Sequence, residues 1–154
     1  MVKSHASGSK GESEILKMIR CPNCQSPLMP LPPYFPLFDV QCTRCLFRAQ
    51  VKTARCAPKS EIFGAGWDVL DKNLKAGHLI PPLIVNFEWQ PAKGRRRLRK
   101  VYFFPFLAKK NLRHRKRSRH GKRPGYEEFN YIKLLDKDTP QIVLFDQSST
   151  DAKV

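Results

Sequence analysis

The sequence predicts an α/β protein, and three observations carry that expectation. Helix-like and strand-like segments alternate along the chain. Two cysteine pairs, Cys21-Pro22-Asn23-Cys24 and Cys42-Thr43-Arg44-Cys45, stand 17 residues apart, a spacing that lets each short turn aim two sulfurs at one tetrahedral zinc ion. With 41% hydrophobic residues and ten Phe among its 154 residues, the chain suits one domain with a real core.

Residues 1–11 are polar and rich in Ser, Gly and Lys. They read as a disordered tail without the apolar stretch of a secretory signal, as do residues 147–154 at the other end. An unsecreted, cytoplasmic chain keeps its thiols reduced, which favours zinc over a pair of disulfides. Residues 13–19 form a first helix, with acidic residues near its start where the helix dipole favours them. Proline-rich residues 27–36 cannot be a long helix and are expected to wrap across the zinc module, residues 21–45. Residues 39–41 and 47–53 are short strands. The second alternates Phe47, Ala49 and Val51 with Arg48, Gln50 and Lys52, so period two places Gln50 and Lys52 on one face.

Residues 64–76 follow as a helix, with Trp67, Leu70 and Leu74 sharing a face and Gly77 available to stop it. Pro81-Pro82 introduces residues 83–87, a continuous apolar strand of the kind buried at a sheet centre. Residues 101–107 are another strand, in which Pro105 argues for an edge position or a bulge near the end. Residues 129–135 and 141–145 make a final strand pair, with Asp136, Asp138 and Pro140 in the turn. No internal repeat is present, and the folded domain spans residues 12–146.

Twenty-nine Lys and Arg against thirteen Asp and Glu leave a formal charge of +16. The basic residues cluster: Arg95, Arg96, Arg97, Arg99 and Lys100 form one run, and Lys109, Lys110, Arg113, Arg115, Lys116, Arg117, Arg119, Lys122 and Arg123 a longer one. Both lie between apolar stretches and read as loops that neutralise phosphates and make binding salt dependent. No apolar run approaches the roughly 20 residues of a spanning helix, and no basic amphipathic helix stands out, so nucleic acid is the expected polyanion and not a membrane. His114 and His120 fall in the long basic segment and are expected against phosphate or solvent; His78 sits at a helix end where a cation is favourable. Tyr34, Phe35, Phe38, Trp67 and Trp89 read as core aromatics before base-stacking ones. Cys56 has no partner motif and reads as a small buried hydrophobe.

Phosphodiester hydrolysis needs a divalent metal to neutralise the phosphate and acidify a water, plus a cation to steady developing charge or orient the nucleophile. Asp39 and Gln50, with the Val51 carbonyl, supply oxygen ligands for magnesium, and Lys52 on the face shared with Gln50 supplies the cation. An Asp followed eleven residues later by Gln-x-Lys is equally compatible with ordinary surface polarity.

The register of these residues with the cysteines is more specific. Asp39 three residues before Cys42, and Gln50-Val51-Lys52 beginning five residues after Cys45, resemble the catalytic domain of the Dam-replacing family of restriction endonucleases. These belong to the PD-(D/E)XK nuclease superfamily and carry a zinc ribbon among their catalytic strands. The likeness continues through Gly64-Ala65-Gly66, residues 101–107, and Lys122-Arg123-Pro124-Gly125-Tyr126 leading to Asn130, and covers about residues 15–145. It implies a restriction-endonuclease-like mixed sheet flanked by helices, structural zinc on Cys21, Cys24, Cys42 and Cys45, and magnesium-dependent cleavage of double-stranded DNA by Asp39, Gln50 and Lys52. A homodimer on DNA would cut both strands. Related nucleases often add a carboxylate from the first helix, here Glu12 or Glu14, although complementarity to the helix dipole is the preferred reading of both acids. Gln50 stands where the family has Glu, and Phe38 where it has Pro. The chain also ends soon after the last strands, where the methyl-directed member has a winged-helix domain, so methyl-adenine specificity is not implied. Two other readings remain: a DNA-binding module whose nuclease site has decayed, and a zinc-ribbon RNA-associated protein.

Overall fold

A strand buried from Leu83 through Phe87 settles where the main sheet has its centre. Leu83–Trp89 (β5) has no polar face until its end, and a strand of that kind is stable only when covered on both sides. A computed structural model describes residues 12–116 and 126–148, and in it β5 lies inside a six-stranded sheet. The other strands are Leu28–Pro30 (β1), Val40–Cys42 (β2), Arg48–Ala54 (β3), Leu98–Phe104 (β6) and Ile142–Asp146 (β9), in the order β1-β2-β3-β5-β6-β9. β3 and β5 run parallel, Gln50 beside Leu83 through Ala54 beside Phe87, while every other pair is antiparallel. The sheet is therefore mixed, as expected. Ile62–Gly66 (β4), Leu112–Arg115 (β7) and Glu128–Tyr131 (β8) build a second, three-stranded sheet with β8 in the middle.

Alternation along the strands gives the main sheet two covered faces. Ala49, Val51, Ile84, Val101 and Phe103 meet Ile15 of the first helix (α1, residues 12–18) and Ile19 just past its end, together with Cys21, Leu28, Cys42 and Phe47 of the cysteine module. Leu83, Val85, Phe87, Tyr102 and Phe104 face the other way, onto Leu70 of Trp67–Lys75 (α2) and onto Ile62, Phe129 and Tyr131 of the second sheet. A helix thus contributes to each face.

Several elements differ from their expected form. Residues 64–66 end β4 and do not begin a helix; α2 starts at Trp67, whose N–H bonds the Glu127 carbonyl at 2.9 Å. Gly64 and Gly66 press against the rings of Phe129 and Tyr126, an approach only a residue without Cβ allows. Proline-rich residues 27–36 contribute the edge strand β1, where Pro30 needs no ladder N–H. β6 begins at Leu98, so Arg99 and Lys100 are strand residues and not loop residues. It stops immediately before Pro105, occupies an interior position, and has its irregularity between Val101 and Tyr102; Pro105 therefore marks an end, not an edge. The expected final strand pair is not a pair. β8 joins β4 and β7, whereas β9 joins β6. Buried Asn111 holds the connection between them: its carbonyl accepts the Ile132 N–H at 2.8 Å, and its Nδ2 donates to the Ile132 carbonyl and to Thr139 Oγ1, both at 3.2 Å. The long basic segment is not one loop either, since residues 109–111 form a 3-10 turn and β7 follows directly.

The glycine contact gives a direct test of the two-sheet packing. A Cβ at residue 64 would lie 2.3 Å from the Phe129 ring, and a buried ring cannot swing away as a flexible chain end can. Gly64→Ala is expected to lower stability by about 2–3 kcal/mol, read as a reduced urea midpoint with unchanged slope; a neutral substitution would refute this contact.

Candidate active site

The cysteine cluster is built by two tight turns. Gln25, at φ +62°, closes the first with its N–H on the Cys21 carbonyl at 2.9 Å. In the second, the N–H groups of Arg44 and Cys45 both point at Cys42 Sγ at 3.3 Å, and that of Phe47 points at Cys45 Sγ at 3.4 Å. All four Sγ atoms lie within 4.8 Å of one another, with Cys21 to Cys45 at 3.5 Å and Cys24 to Cys42 at 3.4 Å. Those separations are far beyond a disulfide bond of about 2.05 Å and near the roughly 3.8 Å sulfur spacing of a tetrahedron with Zn–S bonds of about 2.3 Å. Hydrogen bonds from the side chain and backbone of Ser26 draw the Cys24 thiol down to about 6. The cluster could hold a zinc ion.

β2 and β3 set the register of the second group of residues. Val40 pairs with Ala49, and Asp39, one step beyond, donates its N–H to the Ala49 carbonyl at 3.0 Å. Gln50 turns its own N–H towards β5, onto the Pro82 carbonyl at 2.9 Å, so alternation sends the Val51 N–H back towards β2. There the Asp39 carboxylate accepts it at 2.8 Å. Asp39 leaves a strained turn: Leu37, at φ +63°, centres a loop closed by the Phe38 N–H on the Pro36 carbonyl at 2.8 Å, a three-residue turn that is uncommon for a branched side chain. A proline at position 38 would lack that N–H, so the departure from the Pro-Asp pattern has a local structural reason.

Lys52 is largely buried. Burial pushes its ammonium below the ordinary lysine range, and the carboxylates of Asp39 and Glu12 pull it part of the way back. Glu12 reciprocates: burial raises it above the usual carboxylate range, Asp39's charge raises it further, and Lys52 opposes both. Each of the three groups therefore lies within the field of the other two. Glu14 is elsewhere, exposed and 3.4 Å from Arg99. At 3.6 residues per turn, side chains two apart diverge by about 200°, so the two acids take different surroundings. The sequence leaves the choice between them open; packing of Ile15 and Ile19 on the sheet turns Glu12 towards the site.

Gln50 meets a residue the sequence analysis does not single out. Tyr131, at 1% exposure, donates its hydroxyl to Gln50 Oε1 at 2.5 Å across the two sheets. Burial first, and Asp39's charge second, raise the phenol above its usual range, so it remains a donor. A strand aromatic 81 residues away carries no sequence signal for that role. Beside Gln50 opens a cavity of about 330 Å³ lined also by Leu37, Gly66, Tyr126 and Phe129. The Asp39 and Glu12 carboxylates could hold a hard divalent cation through oxygen, with the Lys52 ammonium as a neighbouring charge and not a ligand.

The basic residues divide. Arg95, Arg96, Arg97, Lys109, Arg115 and Lys116 are exposed. Arg99 is tied to Glu88, Glu14 and Met18, Lys100 to Asp146 at 3.7 Å, Lys110 to Asp138, and Arg113 to Glu61 at 2.7 Å. These four are engaged in ion pairs within the chain. Arg117, Arg119, His120, Lys122 and Arg123 lie outside the described residues. His114 stacks on Trp67 with ring centres 4.3 Å apart and bonds Glu127 at 2.8 Å. Of the aromatics expected in the core, Tyr34 is 96% exposed and Phe35 is exposed as well, with the Arg48 guanidinium over its ring, while Cys56 packs half-buried against the second core. No helix among the described residues is long and apolar enough to cross a membrane.

No protein-family model matches the chain, and no curated protein does. What the site can do is judged on its own residues.

Because Glu12 ionises above its ordinary 4.5 in the folded chain, the folded state binds that proton more tightly than the unfolded one, and stability falls as pH rises from 4.5 through the raised value. Glu12→Gln removes the loss. Without magnesium, the variant is expected to be more stable than the parent at pH 7 and equal to it at pH 4 by urea unfolding; equal stability at both would contradict a desolvated carboxylate here.

Proposed function

We propose that the chain is a magnesium-dependent endonuclease of double-stranded DNA, of a restriction or DNA-defence kind, and that its four cysteines hold structural zinc. One observation carries the reading: a helix and two strands bring Glu12, Asp39 and a buried Lys52 together beside the cysteine module. A buried lysine costs stability unless it is paired, and polar groups arranged to perturb one another in this way gather at functional sites. The mixed sheet, with the Asp at a strand start and Gln-x-Lys on the next strand, is the arrangement that the resemblance to the Dam-replacing nucleases implies.

Magnesium, when bound, neutralises the scissile phosphate and acidifies the attacking water. Asp39 and Glu12 would hold it, with the Val51 carbonyl as a further oxygen. Asp39 is fixed for this by the Val51 N–H. Lys52, whose lowered proton affinity comes from burial, orients the attacking water and steadies charge on the phosphoryl oxygens. The exposed cations Arg95, Arg96, Arg97, Lys109, Arg115 and Lys116 supply phosphate contacts. One such site cuts one strand, so cleavage of both calls for a pair of chains on the duplex.

Purified protein with plasmid and magnesium should cut. Lys52→Ala should lose at least about 100-fold in rate, and Lys52→Met, which keeps the buried volume, should lose as much while still binding DNA. Full cutting by both variants would end the nuclease assignment; an uncut plasmid with tight, salt-sensitive binding would instead identify a DNA-binding protein without catalysis.

Metal analysis should find one zinc per chain. Cys42→Ser should lower that content and the melting temperature together, because the binding energy of a four-thiolate site, on the order of 10 kcal/mol, is folding energy. Full stability without zinc would leave the cysteines a packing role alone.

A further inference from the structure

Gln50 stands where a metal-binding carboxylate is expected, and its surroundings give it a different task. We infer that Gln50 is a hydrogen-bond donor to the scissile phosphate and not a magnesium ligand, and that Tyr131 is the residue that positions it. The inference rests on the nuclease reading.

A carboxamide has one accepting end and one donating end, and fixing the first fixes the second. Tyr131 fixes the first. Its hydroxyl donates to Gln50 Oε1 at 2.5 Å, and the ring behind that hydroxyl is held on all sides. Tyr131 occupies the central strand of the second sheet, paired with Ile62 on one side and Leu112 on the other. Its ring meets Phe129 edge-on at 5.1 Å, and 1% of the residue is exposed. Gln50 Oε1 is thus turned away towards the second sheet. Nε2 makes no hydrogen bond among the described residues, and the side chain borders the 330 Å³ cavity with Leu37, Gly66 and Phe129, whose wall also carries the exposed carboxylate Asp68. A donor left free beside an open volume suits an anionic oxygen and is ill suited to a cation. The charge that magnesium needs is already present on Asp39 and Glu12. Gln at position 50 avoids a third carboxylate in that field and offers two N–H groups where negative charge arrives.

Three measurements on the zinc-loaded full chain separate the roles, with zinc content and thermal unfolding reporting the fold of each variant. Manganese, as the probe for the magnesium site, is titrated calorimetrically into the parent, Gln50→Ala, Tyr131→Phe and Glu12→Gln. Affinity for an uncut duplex is measured in calcium, and cleavage in magnesium. Gln50→Ala and Tyr131→Phe are expected to bind manganese within about twofold of the parent while losing about tenfold in duplex affinity, the scale of one hydrogen bond to a charged group. Glu12→Gln should lose about tenfold or more in manganese affinity. Weakened manganese binding in Gln50→Ala, or unchanged duplex affinity in Gln50→Ala and Tyr131→Phe, overturns the inference. If the binding pattern holds and the parent does not cleave, the nuclease reading fails, and what stands is Gln50 as a donor to a backbone phosphate of bound DNA.

Discussion

The Asp39 carboxylate accepting the Val51 N–H at 2.8 Å joins the two halves of the candidate site, and much of the surrounding architecture exists to make that contact available. Val51 belongs to the strand between antiparallel β2 and parallel β5. Its N–H is free to take a side chain because Asp39 stands just before the first residue of β2, and Asp39 stands there because the turn through Leu37 delivers it. On the other side, the cysteine module fixes the far ends of the same strands. Cys42 closes β2, and the second cysteine turn leads through Phe47 into β3. A metal on the four thiols would therefore hold the hairpin at one end while Asp39 closes it at the other. Misplacement of Asp39 by an ångström would separate it from both Val51 and Lys52.

Burial of Lys52 is the energetic cost of this arrangement. A lone buried ammonium is unstable by several kcal/mol, and Asp39 and Glu12 offset part of that. The compensation is incomplete, since burial still dominates the shift of both Lys52 and Glu12. A fold selected for stability alone would fill the place with an apolar residue. Retaining two acids and a lysine there is consistent with a charged occupant that completes the balance, and a divalent cation with a phosphate does so.

The parts of the fold legible in the sequence are those set by local pattern. Apolar residues 83–87, the alternation around Gln50 and Lys52, and the two cysteine turns each fix their own geometry. What the sequence leaves open depends on contacts made far along the chain. Gly64 and Gly66 look like a helix entrance until Phe129 and Tyr126 lie against them. Tyr131 is one strand aromatic among several until the second sheet places its hydroxyl on Gln50. Arg99 and Lys100 look like phosphate-binding loop residues by composition, yet acids on neighbouring elements claim both. Charge is visible in a sequence; its neutralisation by a partner in the fold is not.

That distinction bears on how the chain would meet a polyanion. Ion pairs within the molecule occupy Arg99, Lys100, Lys110 and Arg113, so the number of Lys and Arg in the two basic runs overstates the cations ready for phosphate. Within the two basic runs the exposed cations outside those ion pairs are Arg95, Arg96 and Arg97, in the turn between β5 and β6, and Lys109, Arg115 and Lys116, around the 3-10 turn and the end of β7. A protein that releases one counterion per phosphate contact shows a salt dependence set by the cations that touch the backbone, not by total charge. The partition of these residues therefore implies a shallower salt slope than a count of the Lys and Arg in the two runs would give, and it separates the site's own lysine, held by Asp39 and Glu12, from the cations that would bring DNA to it.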